Sequence, residues 1–239
     1  MDKGTNEKIS ILVPTWNRKK FLPLLLRNIM IQDYPHNLIK VYIDDDGEEK
    51  LINDLELEAV REHIHPVQLI YTNNNPRRTI GKKRNDMVKT ADTKIVCFMD
   101  DDDIYFPTYL SYSYQLLKEK KAGCVGSDKM TFAISEKDFD VYAINCGNNK
   151  IMIHEATMMF SKKWFKSTCK FANSSEGEGK NIFVGAEKTT EISDIMKIMC
   201  CLQHSGNTID KLQFATDDRK TEIKLDPNLI NILKKILRN

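Results

Sequence analysis

The sequence predicts an α/β fold, a three-layer sandwich with a mainly parallel central sheet and helices on both faces. Over about the first hundred residues, short apolar runs alternate with amphipathic helical stretches, which is typical of parallel sheets with right-handed crossovers. Two of the predicted strands end in consecutive aspartates. Because ligands bind outside the carboxyl ends of strands in open sheets of this class, these aspartates mark a candidate site.

The elements of the first half follow from apolar spacing and from helix-breaking residues. The run Ile9–Val13 is strand-like and stops at Pro14, which suits a short buried strand. Apolar residues recur every four positions at Phe21, Leu25 and Ile29, which predicts an amphipathic helix. The predicted order is strand 9–13, helix 21–32, strand 38–43, helix 48–64, strand 67–71, helix 80–91 and strand 94–99.

The second half departs from that alternation. Its predicted elements are a helix 107–121, a short strand 124–126, a hairpin with strands 130–134 and 141–144, an apolar run 195–202 and a final amphipathic helix, capped by Asp226, that ends at Leu237. Between 150 and 195 the pattern is irregular. The change near residue 125 predicts that the two halves of the chain do different jobs within one continuous domain.

Composition limits the function classes. The chain has 239 residues, 41% of them hydrophobic, and a net charge of +2, so it can build a core and has no overall charge that favours nucleic acid. Its six cysteines form no CxxC pair, which is typical of reduced cysteines in intracellular proteins. No signal-peptide segment is visible, and no apolar run approaches the roughly 20 residues that span a bilayer. We expect a soluble, cytoplasmic protein that does not bind nucleic acid.

Four consecutive carboxylates, Asp100–Asp103, follow the apolar strand 94–99. Adjacent carboxylates repel one another and are costly to bury, so a strand that ends in four of them favours a cation at that point. Hard divalent ions such as Mg²⁺ and Mn²⁺ bind carboxylate oxygens together with phosphates. The run predicts a metal-diphosphate site, with a solvated acidic loop or a Ca²⁺ loop as the alternatives.

A second acidic cluster, Asp44–Asp46, ends the strand 38–43. A carboxylate at the end of a second parallel strand is well placed to accept hydrogen bonds from a nucleoside, with a solvated turn as the alternative. Between the clusters, segment 77–84 has five cations in eight residues at a predicted helix start. Since helix N-termini attract anions, we expect this segment to meet a di-anion, although part of it suits a solvated helix face.

Together these features resemble the family 2 glycosyltransferases, enzymes with the GT-A (Rossmann-like) fold. The resemblance is strong over about residues 8–128 and thin beyond them. It implies a nucleotide-sugar and metal-binding half at 1–128 and an acceptor-binding half, including the final helix, at 129–239. Four segments fall in the order and spacing of that family: Ile11–Arg18, Ile43–Gly47, Ile80–Asn85 and Phe98–Asp103.

The resemblance implies which residues contact the nucleotide. The loop after the first strand would be the first contact, and Asp44 or Asp45 would hold the uracil or the ribose. The implied nucleotide-binding residues are Pro14, Thr15, Asn17, Arg18, Asp44, Asp45, Gly81, Arg84, Asn85, Asp100 and Asp101.

The resemblance also implies a DxD motif that binds Mn²⁺ or Mg²⁺. Asp100 and Asp102 are the favoured pair, because Asp100 directly follows the strand. Asp101 and Asp103 have the same spacing and remain the alternative register. In many GT-A enzymes a histidine from the second half closes the metal shell, and His204, after the second-half apolar run, resembles that residue.

Inverting sugar transfer needs a carboxylate that takes the proton of the attacking hydroxyl. The resembling enzymes have an acidic pair, often Glu-Asp, before a helix of the second half, and this chain has no such pair there. The nearest match is Glu176-Gly177-Glu178, so Glu178 is the first candidate for the catalytic base and Glu176 the second. Glu155 and Glu187 are further candidates, and a plain polar loop is the alternative.

These features predict a metal-dependent inverting glycosyltransferase that moves a sugar from a nucleotide-diphosphate donor, first of all a UDP-sugar, to a glycan or other hydroxyl acceptor. Sugar-phosphate nucleotidylyltransferases share such a sheet but place a Gly-rich, Arg-containing loop where this chain has Pro14–Arg18. A nucleotide- or metal-binding module without activity is the third alternative. We expect the final helix to pack on the domain rather than to contact a membrane or partner, and the sequence carries no signature of an oligomer.

Overall fold

The computed structural model describes residues 6–74, 76–147, 149–204, 207 and 211–238. The strands are β1 (Ile9–Thr15), β2 (Ile39–Asp45), β3 (Gln68–Asn73), β4 (Ile95–Phe98), β5 (Ile104–Tyr105), β6 (Cys124–Gly126), β7 (Lys129–Ile134), β8 (Asp140–Asn145), β9 (Met159–Ser161), β10 (Thr190–Ile192) and β11 (Met199–Gln203). The helices are α1 (Leu22–Met30), α2 (Leu57–Ile64), α3 (Ile80–Thr90), α4 (Tyr109–Glu119), α5 (Lys162–Ser167) and α6 (Pro227–Arg238).

The larger sheet of the described residues has seven strands in the order β10-β6-β9-β4-β1-β2-β3. Its pairs are parallel except for those made by β9, which runs antiparallel to both β4 and β6. The mainly parallel sheet predicted from the alternation is therefore confirmed. Because β9 is antiparallel, the carboxyl ends of β4 and β6 and the amino end of β9 lie at the same edge.

Helices cover both faces of this sheet. Along β1 the side chains alternate, so that Ile9, Ile11 and Val13 pack with buried residues of α1, α2 and α4. Leu12 faces the other way and packs with buried residues of α3 and α5. This period of two places apolar side chains on both faces of a central strand, as parallel sheets require.

A smaller sheet in the described part of the chain has the order β5-β11-β7-β8. Its β7 and β8 form the predicted antiparallel hairpin, and β11 pairs in parallel with β7 and antiparallel with β5. Since β5 begins at Ile104, directly after the four aspartates, this sheet brings the end of β11 next to the end of β4.

The helix predicted over 48–64 is wrong in its first half, because α2 begins only at Leu57. The carboxylate of Asp45 accepts hydrogen bonds from the backbone N–H groups of Gly47 and Leu51, each at 2.8 Å. The Asn53 side chain then accepts from the next N–H groups before the helix. Side chains that bond nearby backbone groups compete with helix formation, and here they hold residues 47–56 in a loop.

The final helix packs on the domain, as expected. Leu229, Leu233 and Ile236 of α6 are buried in one cluster with Phe21 and Leu24. Among the described residues, no helix has the length and apolar content of a membrane span. All six cysteines are free, in keeping with the reduced state predicted for them.

Candidate active site

Three loops meet at the carboxyl edge of the larger sheet. β1 lies between β2 and β4 and is parallel to both, so the chain leaves all three strands at the same edge. The strands end at Thr15, Asp45 and Phe98. The loops that follow them hold Arg18 and both acidic clusters.

The four aspartates after β4 alternate between outward and inward positions. The side chains of Asp100 and Asp102 are 26% and 16% exposed, whereas Asp101 and Asp103 are 4% and 7% exposed as whole residues. The outward pair has the spacing of the predicted DxD motif. Exposure thus supports the Asp100 and Asp102 register, which stays a prediction.

The two inward aspartates, Asp101 and Asp103, are buried in the protein. Asp103 Oδ1 accepts from the backbone N–H of Leu202 at 3.0 Å, and its carbonyl accepts from Asn28 Nδ2 at 2.7 Å. Asp101 Oδ2 is buried and has no hydrogen-bond partner among the described residues. Burial, reinforced by the charge of Asp102, raises the pKa of both carboxyls well above the usual range. The outward pair therefore has the carboxylates that are open to solvent and to an ion.

Asp102 lies between two basic groups. Its Oδ2 is 3.3 Å from the Arg18 guanidinium and 3.1 Å from His204 Nε2. Burial acts to raise the pKa of Asp102, but the hydrogen bond from His204 and the charge of Arg18 outweigh it, so this pKa is lowered. The His204 ring also packs against Phe21, with 4.8 Å between ring centroids and a tilt of 45° between the ring planes. The fold therefore brings His204, which directly follows β11, to the aspartate run, and its role as a metal ligand stays a prediction.

Asp100 faces a different cation. Its Oδ1 is 3.3 Å from Arg84 Nη2, and its backbone N–H donates to the Tyr105 hydroxyl at 2.9 Å. Burial raises the pKa of Asp100 and the Arg84 charge opposes that rise. Two arginines from different elements thus each face one outward carboxylate, and Arg84 is shared with the carboxylate of Glu178.

Arg84 also forms an ion pair with Glu178, the first candidate for the catalytic base. The Arg84 guanidinium lies 5.1 Å from the Phe98 ring and 5.9 Å from the Phe171 ring. Burial acts to lower the pKa of Arg84, but the carboxylates of Asp100, Glu155 and Glu178 outweigh it and raise this pKa. The guanidinium is therefore the positive centre of a buried group of acids.

Segment 171–178 covers the start of α3. Asn85 exchanges two hydrogen bonds with the backbone of Phe171, at 2.9 and 3.1 Å, and the Gly81 N–H donates to the Ser174 carbonyl at 3.0 Å. A Cβ at Gly81 would lie 1.9 Å from the Ala172 carbonyl oxygen. The α3 N-terminus, expected to meet a di-anion, thus donates to this segment. A nucleotide contact by Gly81 or Asn85 stays a prediction.

Glu176, the second candidate for the base, lies on the outer side of that segment. It is exposed, and its backbone N–H and carbonyl both bond the Ser174 hydroxyl. Glu178 is buried by comparison, with 8% of its side chain exposed. Burial raises the pKa of Glu178, and the Arg84 charge opposes that rise.

The acidic cluster after β2 is bonded internally. Asp45 accepts from Tyr71 as well as from its own loop, and Asp44 forms an ion pair with Arg78. Asp46 accepts from Lys83 Nζ at 2.5 Å, and the side chains of that pair are 0% and 4% exposed. Asp44 and Asp45 thus both have partners within the protein, and the uracil or ribose role of Asp44 or Asp45 stays a prediction.

The loop after β1 is shaped by close backbone packing. Asn17 has a positive φ of 51°, and its Oδ1 accepts from the Glu49 N–H at 3.2 Å. A Cβ on Gly47 would lie 2.7 Å from the Asn17 nitrogen, so only glycine fits there. Pro14 is paired with β2, and the hydroxyl of Thr15 is buried without a hydrogen-bond partner among the described residues.

The donor set at this edge suits a divalent ion such as Mn²⁺ or Mg²⁺. Within the described ranges, no three His, Cys, Asp or Glu side chains are grouped closely enough to hold a metal; Asp102 and His204 are in contact, while Asp100 is turned to Arg84. Carboxylate oxygens with one imidazole nitrogen fit Mn²⁺ better than Mg²⁺. Diphosphate oxygens are the usual source of further ligands in such sites.

Residues 10–171 match the family model for glycosyl transferase family 2. The chain belongs to this family. A curated relative within it is the poly(ribitol-phosphate) beta-N-acetylglucosaminyltransferase TarS of Staphylococcus aureus, 31% identical over 97 residues that cover 40% of this chain and 16% of TarS. An uncharacterized glycosyltransferase of Haemophilus influenzae is 26% identical over 111 residues, or 46% of this chain and 35% of that protein. The matched region is thus well under half the length of these relatives.

Solved structures of family members share the fold. S. aureus TarS 1–349 in complex with UDP-GlcNAc has a TM-score of 0.62 and 16% identity, covering 96% of this chain and 65% of that chain. The mannosyltransferase PcManGT from Pyrobaculum calidifontis, in complex with GDP-Man and Mn²⁺, has a TM-score of 0.59 and 18% identity, covering 84% of this chain and 57% of that chain. The GT-A fold implied by the resemblance is confirmed.

Two residues of this family 2 site carried no sequence signal. The solvated helix face was expected to include Lys82 or Lys83; Lys82 is exposed, whereas Lys83 is buried against Asp46. Tyr105 accepts from the Asp100 N–H and donates to the Ala156 carbonyl at 3.0 Å. The one sequence feature that pointed to this bridging role of Tyr105 was its position just after the aspartates.

Proposed function

We propose that the chain is a metal-dependent inverting glycosyltransferase that takes a sugar from a nucleotide-diphosphate donor, first of all a UDP-sugar, and transfers it to a glycan or other hydroxyl acceptor. Family membership and the GT-A fold are the basis of this proposal. The nucleotide half would be residues 1–128 and the acceptor half 129–239.

One observation carries the proposal: the outward Asp102 contacts both Arg18 and His204 at the carboxyl edge. The carboxylate of Asp102, the imidazole of His204 and the guanidinium of Arg18 come from three separate segments. Core packing alone does not explain why they converge where Asp102 and Arg18 are partly exposed. Together they match what a metal-bound diphosphate requires, namely hard ligands for the ion and cations for the phosphates.

Each group has a stated role in the proposed reaction. Asp100, Asp102 and His204 would hold the ion, which when bound supplies positive charge that stabilises the leaving diphosphate. Arg18 would move from Asp102 to the diphosphate oxygens, since a guanidinium forms good bidentate contacts with phosphate, while Arg84 would stay paired with Asp100 and Glu178 and line the nucleotide pocket. Asp44 would orient the nucleoside. Among the sequence-based candidates for the base, the buried Glu178 ranks above the exposed Glu176.

The relatives support UDP as the first nucleotide to test. TarS has been solved with UDP and with UDP-GlcNAc, and PcManGT with GDP-Man and Mn²⁺. These identities belong to those proteins, and 16–18% identity carries the fold alone. Donor and acceptor for this chain are therefore part of the proposal.

Two other functions are less well supported. A sugar-phosphate nucleotidylyltransferase would need a Gly-rich loop after β1, and this chain has Pro14–Arg18 there. A binding module without activity would also match the fold. It differs in predicting nucleotide binding, or ion binding, without sugar release.

Calorimetric titration of UDP with and without Mn²⁺ tests the proposal, with GDP as the nucleotide control. We expect UDP binding that strengthens at least tenfold when Mn²⁺ is present. A panel of UDP- and GDP-sugars, followed by release of the nucleoside diphosphate, then identifies the donor. Equal UDP binding with and without the ion would overturn the metal site, and binding without any release would favour the inactive module.

A further inference from the structure

Glu155 lies at the same edge of the larger sheet as the aspartate run. It sits four residues before β9, whose amino end is next to the carboxyl end of β4. The Tyr105 hydroxyl accepts from the Asp100 N–H and donates to the carbonyl of Ala156, the neighbour of Glu155. One fixed hydroxyl therefore sets the distance between the Asp100 backbone and the Glu155 segment.

The Glu155 carboxylate fills a notch beside Gly179. A Cβ on Gly179 would lie 1.9 Å from Glu155 Oε1 and 2.6 Å from its Cδ, closer than any two such atoms approach. Gly179 is not among the glycines with positive φ, and its missing side chain leaves room for the Glu155 carboxylate in its present rotamer. The carboxylate of Glu155 therefore occupies the space beside Gly179, which is the chain neighbour of Glu178.

Glu155 and Glu178 differ in how they are bonded. Glu178 is committed to Arg84, with 8% of its side chain exposed. Glu155 is half-buried, and in the described part of the chain its carboxylate has no hydrogen bond or ion pair. Its oxygens are not among those sealed from solvent. An acceptor hydroxyl can therefore reach Glu155 without breaking a contact, whereas Glu178 would first have to release Arg84.

The charges around Glu155 hold it close to the reacting groups. Arg84 attracts it, and Asp100, Glu178 and the neighbouring His154 are the other charged or titratable groups within electrostatic reach. Because Arg84 is already paired with two carboxylates, it orients Glu155 without neutralising it by direct contact. This is the arrangement that a general base needs.

We propose that Glu155 takes the proton from the acceptor hydroxyl, an assignment that rests on the proposed glycosyl transfer. The acceptor O–H bond breaks and its proton passes to the Glu155 carboxylate, while the acceptor oxygen forms a bond to the anomeric carbon. The bond from that carbon to the diphosphate oxygen breaks, and its electron pair leaves with the nucleoside diphosphate. Glu155 then returns the proton to water. Glu178 acts through Arg84 and is a positioning residue.

The test compares Glu155→Gln, Glu155→Asp and Glu178→Gln with Glu62→Gln, an exposed position on α2. UDP affinity with Mn²⁺ is measured by calorimetry, and turnover by UDP release from UDP-GlcNAc with water as acceptor. We expect Glu155→Gln to keep UDP affinity within threefold and to lower kcat by about 100-fold or more. It should also remove the acidic limb of the pH profile, and Glu155→Asp should keep that limb.

Chemical rescue separates a base from a structural residue. Glu155→Ala leaves the notch beside Gly179 open, and added sodium formate is expected to restore part of the UDP release without changing UDP affinity. Wild-type kcat and an intact acidic limb in Glu155→Gln would overturn the assignment, as would loss of that limb in Glu178→Gln alone. If the wild-type chain uses another donor of the sugar panel, the same variants are compared with that donor. A wild-type chain that binds neither UDP nor GDP and releases neither from any sugar of the panel would instead overturn the proposed function.

Discussion

Two acidic clusters flank the end of β1, and the same residue type meets opposite surroundings in them. After β2, Asp45 accepts three hydrogen bonds and Asp46 pairs with the buried Lys83. After β4, the run Asp100–Asp103 holds two buried carboxyls with raised pKa, and its outward pair meets arginines only at 3.3 Å. The first cluster is neutralised by the protein itself. The second keeps surplus negative charge at its surface.

The comparison indicates that acidic residues at the end of a strand bind a cation only when the protein itself does not supply partners for their carboxylates. In the β2 cluster the carboxylates bind backbone N–H groups and one buried lysine, and these contacts stabilise the neighbouring loops. At the β4 run, a cation from outside relieves repulsion that the protein leaves in place. Substitutions in the two clusters should therefore affect different properties, activity in one and stability in the other.

The largest effect is expected from Asp102→Asn. The amide keeps the shape but loses the charge that attracts the ion and pairs with Arg18, so Mn²⁺-dependent UDP release should fall about 100-fold or more. Kinetics with a donor from the sugar panel measure this, and the exposed Asp54→Asn serves as the control. Unchanged turnover with unchanged Mn²⁺ dependence would contradict the assignment of Asp102 as a ligand.

The next effect, Asp46→Asn, should appear in stability. It leaves the Lys83 ammonium, whose side chain is 4% exposed, buried without its partner, which costs about 3–5 kcal/mol. Urea denaturation measures the loss. The double variant Asp46→Asn with Lys83→Met removes both charges and should recover part of that loss. If the single variant is as stable as the wild type, the β2 cluster is not the internally neutralised one.

The sequence alone could predict the strands and their acidic ends, because both are local. An apolar run followed by aspartates is visible within ten residues, and the parallel order follows from the alternation of elements. The partners of those acids were not predictable in the same way. Asp46 meets Lys83 across 37 positions and Arg84 meets Glu178 across 94, so only the fold decides which acid is neutralised.

The same reason explains the wrong helix over 48–56. Its charged composition favours a helix, but the carboxylate of Asp45 binds the N–H groups of Gly47 and Leu51. The hydrogen bonds of this one buried side chain outweighed the local helix propensity there. His204, by contrast, followed an apolar run that does form a strand, and its contact with Asp102 lies where the resemblance implied.

A smaller effect is expected from Gly81→Ala, which probes the segment over Arg84. Alanine favours a helix by about 1 kcal/mol, but its Cβ would meet the Ala172 oxygen at 1.9 Å. Displacing that segment should give a net loss of about 1 kcal/mol or more and lower turnover through Glu178. Lys82→Ala, at an exposed neighbour, is the control. Gain of stability with full turnover would show that the segment moves freely.

The smallest effect is expected at an exposed pair outside both clusters, Asp140 and Lys220. The hydrogen bond from Lys220 lowers the pKa of Asp140, so ionised Asp140 contributes stability above the unfolded pKa of about 4. That contribution is lost as pH falls through the folded pKa. Asp140→Asn should lower the urea midpoint slightly at pH 7 and by less at pH 3. An equal loss at both values would rule out the ionic origin.

The contact between Glu155 and Gly179 has a consequence for the family as a set of sequences. Because a Cβ at 179 would lie 1.9 Å from Glu155 Oε1, a side chain at 179 requires Glu155 to turn to another rotamer or to be replaced by a shorter residue. A relative with an acid at the position of Gly179 has no room for a glutamate in the rotamer that Glu155 has here. We therefore expect positions 155 and 179 to covary in the family. One of the two would carry the carboxylate that occupies this space, and the other would carry a small residue.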